Sequence, residues 1–267
     1  MADKQKIPPA SKVAIIAITA VLYTIAKAAT AYIHTPWGVG ELLIGIFVPA
    51  FFAVVSDTWS AAIGAGLGTF LGDTFFLTAT GSTNPALSLI AGVPANFVAF
   101  LLFGWFVKKY ATWGGFVAAT VSFVTLGNLI AGASIVFFGA DVFTAVGPLV
   151  AAYPAAALVF GFTAFWSLTM VPFILVVVPI LVEAVRPLKG RTTIVTFFPD
   201  WTSRPARTPL FVSLFLALAA IVIILLYLPG VTGLAGYPVA ADEAALGVIG
   251  ALIVVPVTGW ALLSRRV

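Results

Sequence analysis

The stretch Ala14-Ile15-Ile16-Ala17-Ile18-Thr19-Ala20-Val21-Leu22-Tyr23-Thr24-Ile25-Ala26-Lys27 decides the fold. Its apolar residues adjoin without a period of two, which selects a helix over a strand. The apolar character runs from Lys12 to His34, beyond the roughly 20 residues that a membrane-spanning helix needs. The rest of the chain repeats this character. Of 267 residues, 62% are hydrophobic and 8% charged, and the mean hydropathy is +1.17. Soluble domains carry about 25% charged residues, so the solvent of this chain is lipid. Backbone groups in lipid must be satisfied inside helices or a closed barrel. An all-α, polytopic transmembrane bundle follows.

Applying the same length rule along the chain gives helices at 12–34, 40–56, 59–77, 86–107, 114–138, 150–185, 209–229 and 244–264. The second and third are short and meet at the polar turn Ser56-Asp57-Thr58-Trp59-Ser60. The 142–185 stretch reads as one long helix with a lead-in segment or as two helices, and charge separates the two. Lys4, Lys6 and Lys12, then Lys108 and Lys109, then Arg186, Lys189, Arg191, Arg204 and Arg207, then Arg265 and Arg266 make up all but one of the 13 basic residues. Eight spans put every one of these clusters on one side, as the positive-inside rule requires. The expectation is a multi-pass protein of the cell membrane with both termini cytoplasmic. Pro148, Pro154, Pro172 and Pro179 kink or interrupt the sixth span. Residues 1–185 then form a six-helix core, 186–208 a basic cytoplasmic linker, and 209–267 a final helix pair.

The formal charge of +4 does not point to nucleic acid, because the positive residues sit between apolar runs where they set orientation. The first apolar run is too long for a cleavable signal peptide. The absence of cysteine removes disulfides and thiolate chemistry. One histidine without cysteine builds no ordinary zinc or haem site. No G-x-x-x-x-G-K-[ST], H-E-x-x-H or G-x-S-x-G occurs. Neither a cofactor nor an enzyme activity is expected.

A charge inside a span costs about 2.5–3.5 kcal/mol at the helix centre on insertion scales, so each demands a reason. Lys27 is the basic residue left over from the clusters. It lies about seven residues from the outer end, roughly 10 Å deep at about 1.5 Å per residue. Tyr23, Lys27, Thr30 and His34 share one face at helical spacing. Lys27 is either a pocket cation or a snorkelling side chain. Asp73 ends the third span, where the helix dipole disfavours it, and Lys27 is its natural partner. Glu41 opens the second span, either as a cap or as a pocket acid. Asn84, Asn96, Ser122, Thr125 and Asn128 are ligand contacts or interhelical hydrogen-bonding groups. Together Lys27, His34, Glu41, Asp73, Asn84, Asn96 and Asn128 make the candidate substrate site, with a pocket expected among helices one to four below the 34–40 loop. Gly64, Gly68 and Gly72 form a close-packing stripe, and Ala10, Ala14 and Ala17 a small-residue face. Each serves internal packing or receives another membrane subunit.

The Ala-rich helix Ala14–Tyr23, the segment Pro36-Trp37-Gly38-Val39-Gly40-Glu41 and the glycine-rich Gly64–Asp73 carry a resemblance. So do Ala91-Gly92-Val93-Pro94-Ala95-Asn96-Phe97 and Phe103-Gly104-Trp105 before Lys108-Lys109. Over about residues 10–185 the chain resembles the substrate-binding S component of an energy-coupling factor (ECF) vitamin transporter. The resemblance implies a six-helix bundle that captures a small polar nutrient from outside. It also implies partners: a membrane coupling subunit docking on Ala10, Ala14 and Ala17, and cytoplasmic ATPase subunits. The 34–40 loop would be the lid over the pocket. S components usually stop after six helices, and the two helices after the linker depart from that pattern. The substrate is left open among a zwitterion, a heteroaromatic vitamin and a modified base. The alternative function is a structural subunit of a respiratory or oxidase-type membrane complex without its own ligand.

The topology is testable by single-cysteine labelling in this cysteine-free chain. Gly190→Cys should react with an impermeant maleimide only after cells are opened. Labelling in intact cells would refute cytoplasmic placement of 186–208.

Overall fold

A computed structural model describes residues 7–199 and 201. Its described residues are helical, without a strand, and five helices are long and apolar enough to cross a membrane. These are α1 (Pro9–Ala28), α3 (Thr58–Thr80), α4 (Pro85–Lys109), α5 (Trp113–Asp141) and the long helix α7 (Ala155–Val185). Two shorter ones complete the set, α2 (Phe47–Val55) and α6 (Val146–Ala152). The expected helices at 209–229 and 244–264 lie outside the described residues.

Several expected boundaries change, each for a local reason. The first helix stops at Ala28 rather than near His34, because the chain then turns and the Thr30 hydroxyl donates to the Leu42 carbonyl at 2.6 Å. His34 therefore leaves the face that Tyr23 and Lys27 share. The second expected span is realised as a 3-10 turn, Ile44–Ile46, leading into the 9-residue α2. At about 1.5 Å per residue these elements reach about 18 Å, short of the roughly 30 Å hydrocarbon core. Residues 40–43 are spent on the loop instead: Leu42 N–H donates to Ile33 and Gly40 N–H to Ser82.

The third helix passes Asp73 through a π-turn, Asp73–Leu77, and ends at Thr80 with Gly81 at φ +76°. Asp73 is thus inside the helix and not at its terminus. Tyr153-Pro154 splits the 142–185 stretch into α6 and α7, since proline has no N–H to continue a helix. Pro172 and Pro179 remain inside α7, a helix of 31 residues.

The glycine stripe serves internal packing. A Cβ at Gly64 would lie 2.6 Å from Thr19 Cβ and 2.9 Å from the Ile16 carbonyl oxygen, and one at Gly68 2.8 Å from the Ala20 carbonyl oxygen. The absence of side chains there lets α1 and α3 come into backbone contact. Away from α3, α1 exposes Val13, Val21, Leu22 and Ile25, with Ala10 and Ala17 exposed beside them and Ala14 half-buried.

At the opposite end from the 29–43 loop, Lys108 donates to the Ser56 carbonyl and to Thr58 Oγ1. The segment after α7 packs onto this end. Thr196 and Phe197 N–H donate to Val55, and buried Trp201 lies against Phe116 and Trp113 at ring separations of 4.8 and 5.8 Å. Within the expected linker, Val195 and Trp201 are buried and Thr196 and Phe197 are tied to α2, while 200 and 202–208 lie outside the described residues. Asp57 caps α3 by accepting from the Ser60 N–H and hydroxyl. Partial burial works to raise the Asp57 pKa, but the Ser60 hydrogen bonds with Lys12 and Lys108 hold it below the usual range.

Gly64→Ala should lower stability by about 1–3 kcal/mol, the usual cost of overpacking. Gly114→Ala, with nothing within 4 Å of the added Cβ, should instead gain from helix propensity. Thermal unfolding of the two purified variants measures the opposite signs. Equal shifts would refute the close α1–α3 packing.

Candidate functional site

Each charged member of the site reaches it from a different element. Lys27 comes from the last turn of α1, Glu41 from the loop before α2, and Asp73 from the start of the π-turn in α3. Lys27 Nζ lies 2.7 Å from Asp73 Oδ1 and 3.0 Å from Glu41 Oε1. The residues are 1%, 5% and 4% exposed respectively, so Lys27 does not snorkel into lipid. Asp73 Oδ2 accepts from Ser88 Oγ at 2.5 Å, and Ser88 itself opens a second π-turn, Ser88–Gly92 in α4. A π-turn adds a residue to one helical turn and re-aims side chains, and such bulges recur at functional sites. Here two of them face each other across the Asp73–Ser88 hydrogen bond.

Glycines make room for these groups. A Cβ at Gly72 would fall 2.9 Å from Lys27 Cδ, and one at Gly92 2.9 Å from Thr69 Cγ2 and 3.3 Å from Asp73 Oδ2. The Tyr23 ring centroid lies 5.9 Å from the Lys27 ammonium, within cation–π range.

The loop over the site is fixed at both ends of its turn. Gly38 and Gly40 adopt φ of +73° and +76°, open to glycine without strain. Thr35 and Gly40 are joined by a backbone hydrogen bond, and His34 and Glu41 form an isolated β-bridge. Trp37 packs at a tilt against Phe162 of α7, ring centroids 4.9 Å apart, and a Cβ at Gly161 would lie 2.5 Å from the Trp37 ring. Trp166 donates Nε1–H to the Glu41 carbonyl at 2.9 Å. The loop is therefore pinned to α7 as well as to the bundle end.

Beneath it lies a cavity with about 60 Å³ of room for the centres of water-sized molecules. A single water needs about 10–15 Å³ on that measure, so a small organic molecule fits. Lys27, Glu41 and Asp73 bound one side, while Ala91, Ala95, Ala99 and Gly127 give a smooth wall on α4 and α5. Asn96 and Asn128 both line it, Asn96 donating to the Gly92 carbonyl and Asn128 to Ser167 Oγ. The cavity is not confined to the first four helices: α5 and α7 supply much of its wall, including Trp166 and Met170.

Two candidate residues stand elsewhere. Asn84 caps α4 by accepting from Leu87 N–H and donates to the Val142 carbonyl, both at 2.7 Å. His34 contributes its backbone to the bridge with Glu41 and does not line the cavity. Ser122 and Thr125, in and just after the π-turn of α5, do not line it either. Sequence reasoning passed over Ser88 and Trp166. A tryptophan in the middle of a span, away from the interfacial belt where it usually sits, was the available signal for the second. Among the described residues no group of three or more His, Asp or Glu gathers as a metal site.

No protein family, no curated protein and no solved structure matches the chain.

Removing one partner of a buried ion pair costs about 3–5 kcal/mol, because the remaining charge is stranded. Lys27→Met should therefore lower stability by about that amount. Adding Glu41→Gln and Asp73→Asn should recover most of it. Chemical denaturation of the purified single and triple variants compares them. A Lys27→Met protein as stable as wild type would rule out the buried cluster.

Proposed function

We propose that the chain is the membrane-embedded binding subunit of an ATP-driven uptake system, of the kind that its S-component resemblance implies. It takes a small polar nutrient from outside the cell into the cavity under the 34–40 loop. One observation carries this reading: a charged cluster forms part of the wall of a cavity big enough for a ligand, inside a bundle of membrane-length helices. Ionisable residues inside membrane spans are rare, face the bundle interior or a water-filled cavity, and mark substrate or ion pathways.

Supporting features agree on direction. The loop and the charged cluster stand at the end of the bundle away from Lys108 and the Arg186–Arg191 segment. With the basic end cytoplasmic by the positive-inside rule, the cavity is on the outer side. The sequence holds no P-loop, so ATP is hydrolysed by separate cytoplasmic subunits. The docking face for the membrane coupling subunit is the outward side of α1 at Ala10, Ala14 and Ala17, where small side chains allow close helix approach.

Ala14→Trp separates docking from binding. Native mass spectrometry of wild type and variant should find the same compound bound at the same occupancy. Cellular accumulation of that compound should fall to background in the variant. Joint loss of binding and uptake would make the alanine face internal packing. A wild-type protein that carries no ligand and supports no uptake would favour a structural subunit instead.

A further inference from the structure

At the cavity two carboxyl groups stand against one lysine, and burial pushes the Glu41 carboxyl above its usual range. Among the described residues no other Lys, Arg, His, Asp or Glu lines the space. The shortfall is at Glu41. Asp73 has both oxygens engaged, Oδ1 by Lys27 and Oδ2 by Ser88. The Glu41 side chain has Lys27 as its partner, through Oε1 and at the longer of the two distances, with no neutral donor set against it. A carboxylate offers about four acceptor positions, so the single Lys27 contact leaves most of those of Glu41 open.

A second polar group also waits on the cavity. Asn128 is 7% exposed, and its amide gives Nδ2 to Ser167 Oγ while Oδ1 receives no hydrogen bond from a described residue. The same lining includes the planar Trp166 indole and the methyl groups of Ala91, Ala95 and Ala99.

We infer that the ligand is a small organic monocation, a protonated amine or amidinium on a flat, largely apolar body. Its charged end sits on the Glu41 carboxylate, its body lies along Trp166, and a polar atom at the far end meets Asn128. An inorganic ion is a poorer fit: hard cations take six or more oxygen ligands, and two carboxylates already shared with a lysine do not supply them. This inference rests on the proposed binding function and narrows its substrate class.

Three probes of one shape test it: benzamidine (cation), benzamide (neutral) and benzoate (anion), each titrated into the purified full chain at neutral pH. The readouts are the thermal unfolding midpoint and tryptophan fluorescence. Benzamidine should bind at least about tenfold tighter than benzamide, a difference of about 1.4 kcal/mol. Benzoate should not bind. Glu41→Gln should reduce benzamidine to the benzamide level. If benzamide or benzoate binds as tightly as benzamidine, the cavity is a ligand site without cation preference, and this inference falls while the binding function stands. If none of the three binds, this inference falls, and the binding function is decided by the ligand and uptake measurements above. A benzamidine preference that survives Glu41→Gln overturns the assignment to that carboxylate. Should the variant fail to fold, the wild-type series alone still decides between charge states.

Discussion

A lysine ammonium held away from water by two carboxylates is the constraint around which this bundle is arranged. The lysine arrives from α1, one carboxylate from the loop and the other from α3. None of the three elements can shift without stranding a charge in a medium where its solvation is lost. The surroundings show what that requires. Gly72 leaves the path of the Lys27 stem open, and Gly92 leaves space beside Asp73. Two facing π-turns then bring Asp73 and Ser88 to hydrogen-bonding distance. Backbone economy and side-chain chemistry are settled at the same few positions.

The loop between α1 and α2 inherits its shape from the same constraint. Glu41 reaches inward to Lys27 from a non-helical stretch, and helical structure resumes only at the 3-10 turn Ile44–Ile46 that leads into α2. A membrane interior tolerates such irregular backbone only where it is buried in protein or borders a cavity. Both conditions hold here: the loop is hydrogen-bonded to Ser82, anchored by Trp37 and Trp166, and its Gly40 and Glu41 border the cavity. The half-length α2 is the cost of closing the bundle over a polar site.

Hydropathy made the helical membrane character legible at once, because lipid demands long uninterrupted apolar runs and α1, α3, α4, α5 and α7 supply them. Lys27, Glu41 and Asp73 were legible for the complementary reason, as charges out of place in such runs. What escaped is local geometry. Helical spacing placed His34 on the Lys27 face, but spacing says nothing about a helix ending at Ala28 to let Thr30 bond Leu42. Asn84 looked like Asn96 and Asn128 in sequence, yet it sits before Pro85, where a side-chain oxygen caps a helix. The π-turns left no compositional trace, since an inserted residue changes the register and not the hydropathy. The contribution of α5 and α7 to the cavity depends on tertiary packing that no single segment encodes.

The buried cluster is better explained by a site than by stability. Ion pairs inside proteins are often matched or bettered by apolar residues of the same volume, because desolvation offsets their attraction. In a bundle already rich in aromatic and aliphatic packing, a Leu at position 27 and small apolar residues opposite would hold α1 to α3 without that cost. A purely structural cluster would also be expected to come out neutral and fully hydrogen-bonded. This one sets two carboxyl groups against one lysine, leaves Glu41 with a single side-chain partner, and stands beside open volume. Each of these features is unfavourable for an isolated fold, and each is one that the proposed cationic guest would satisfy.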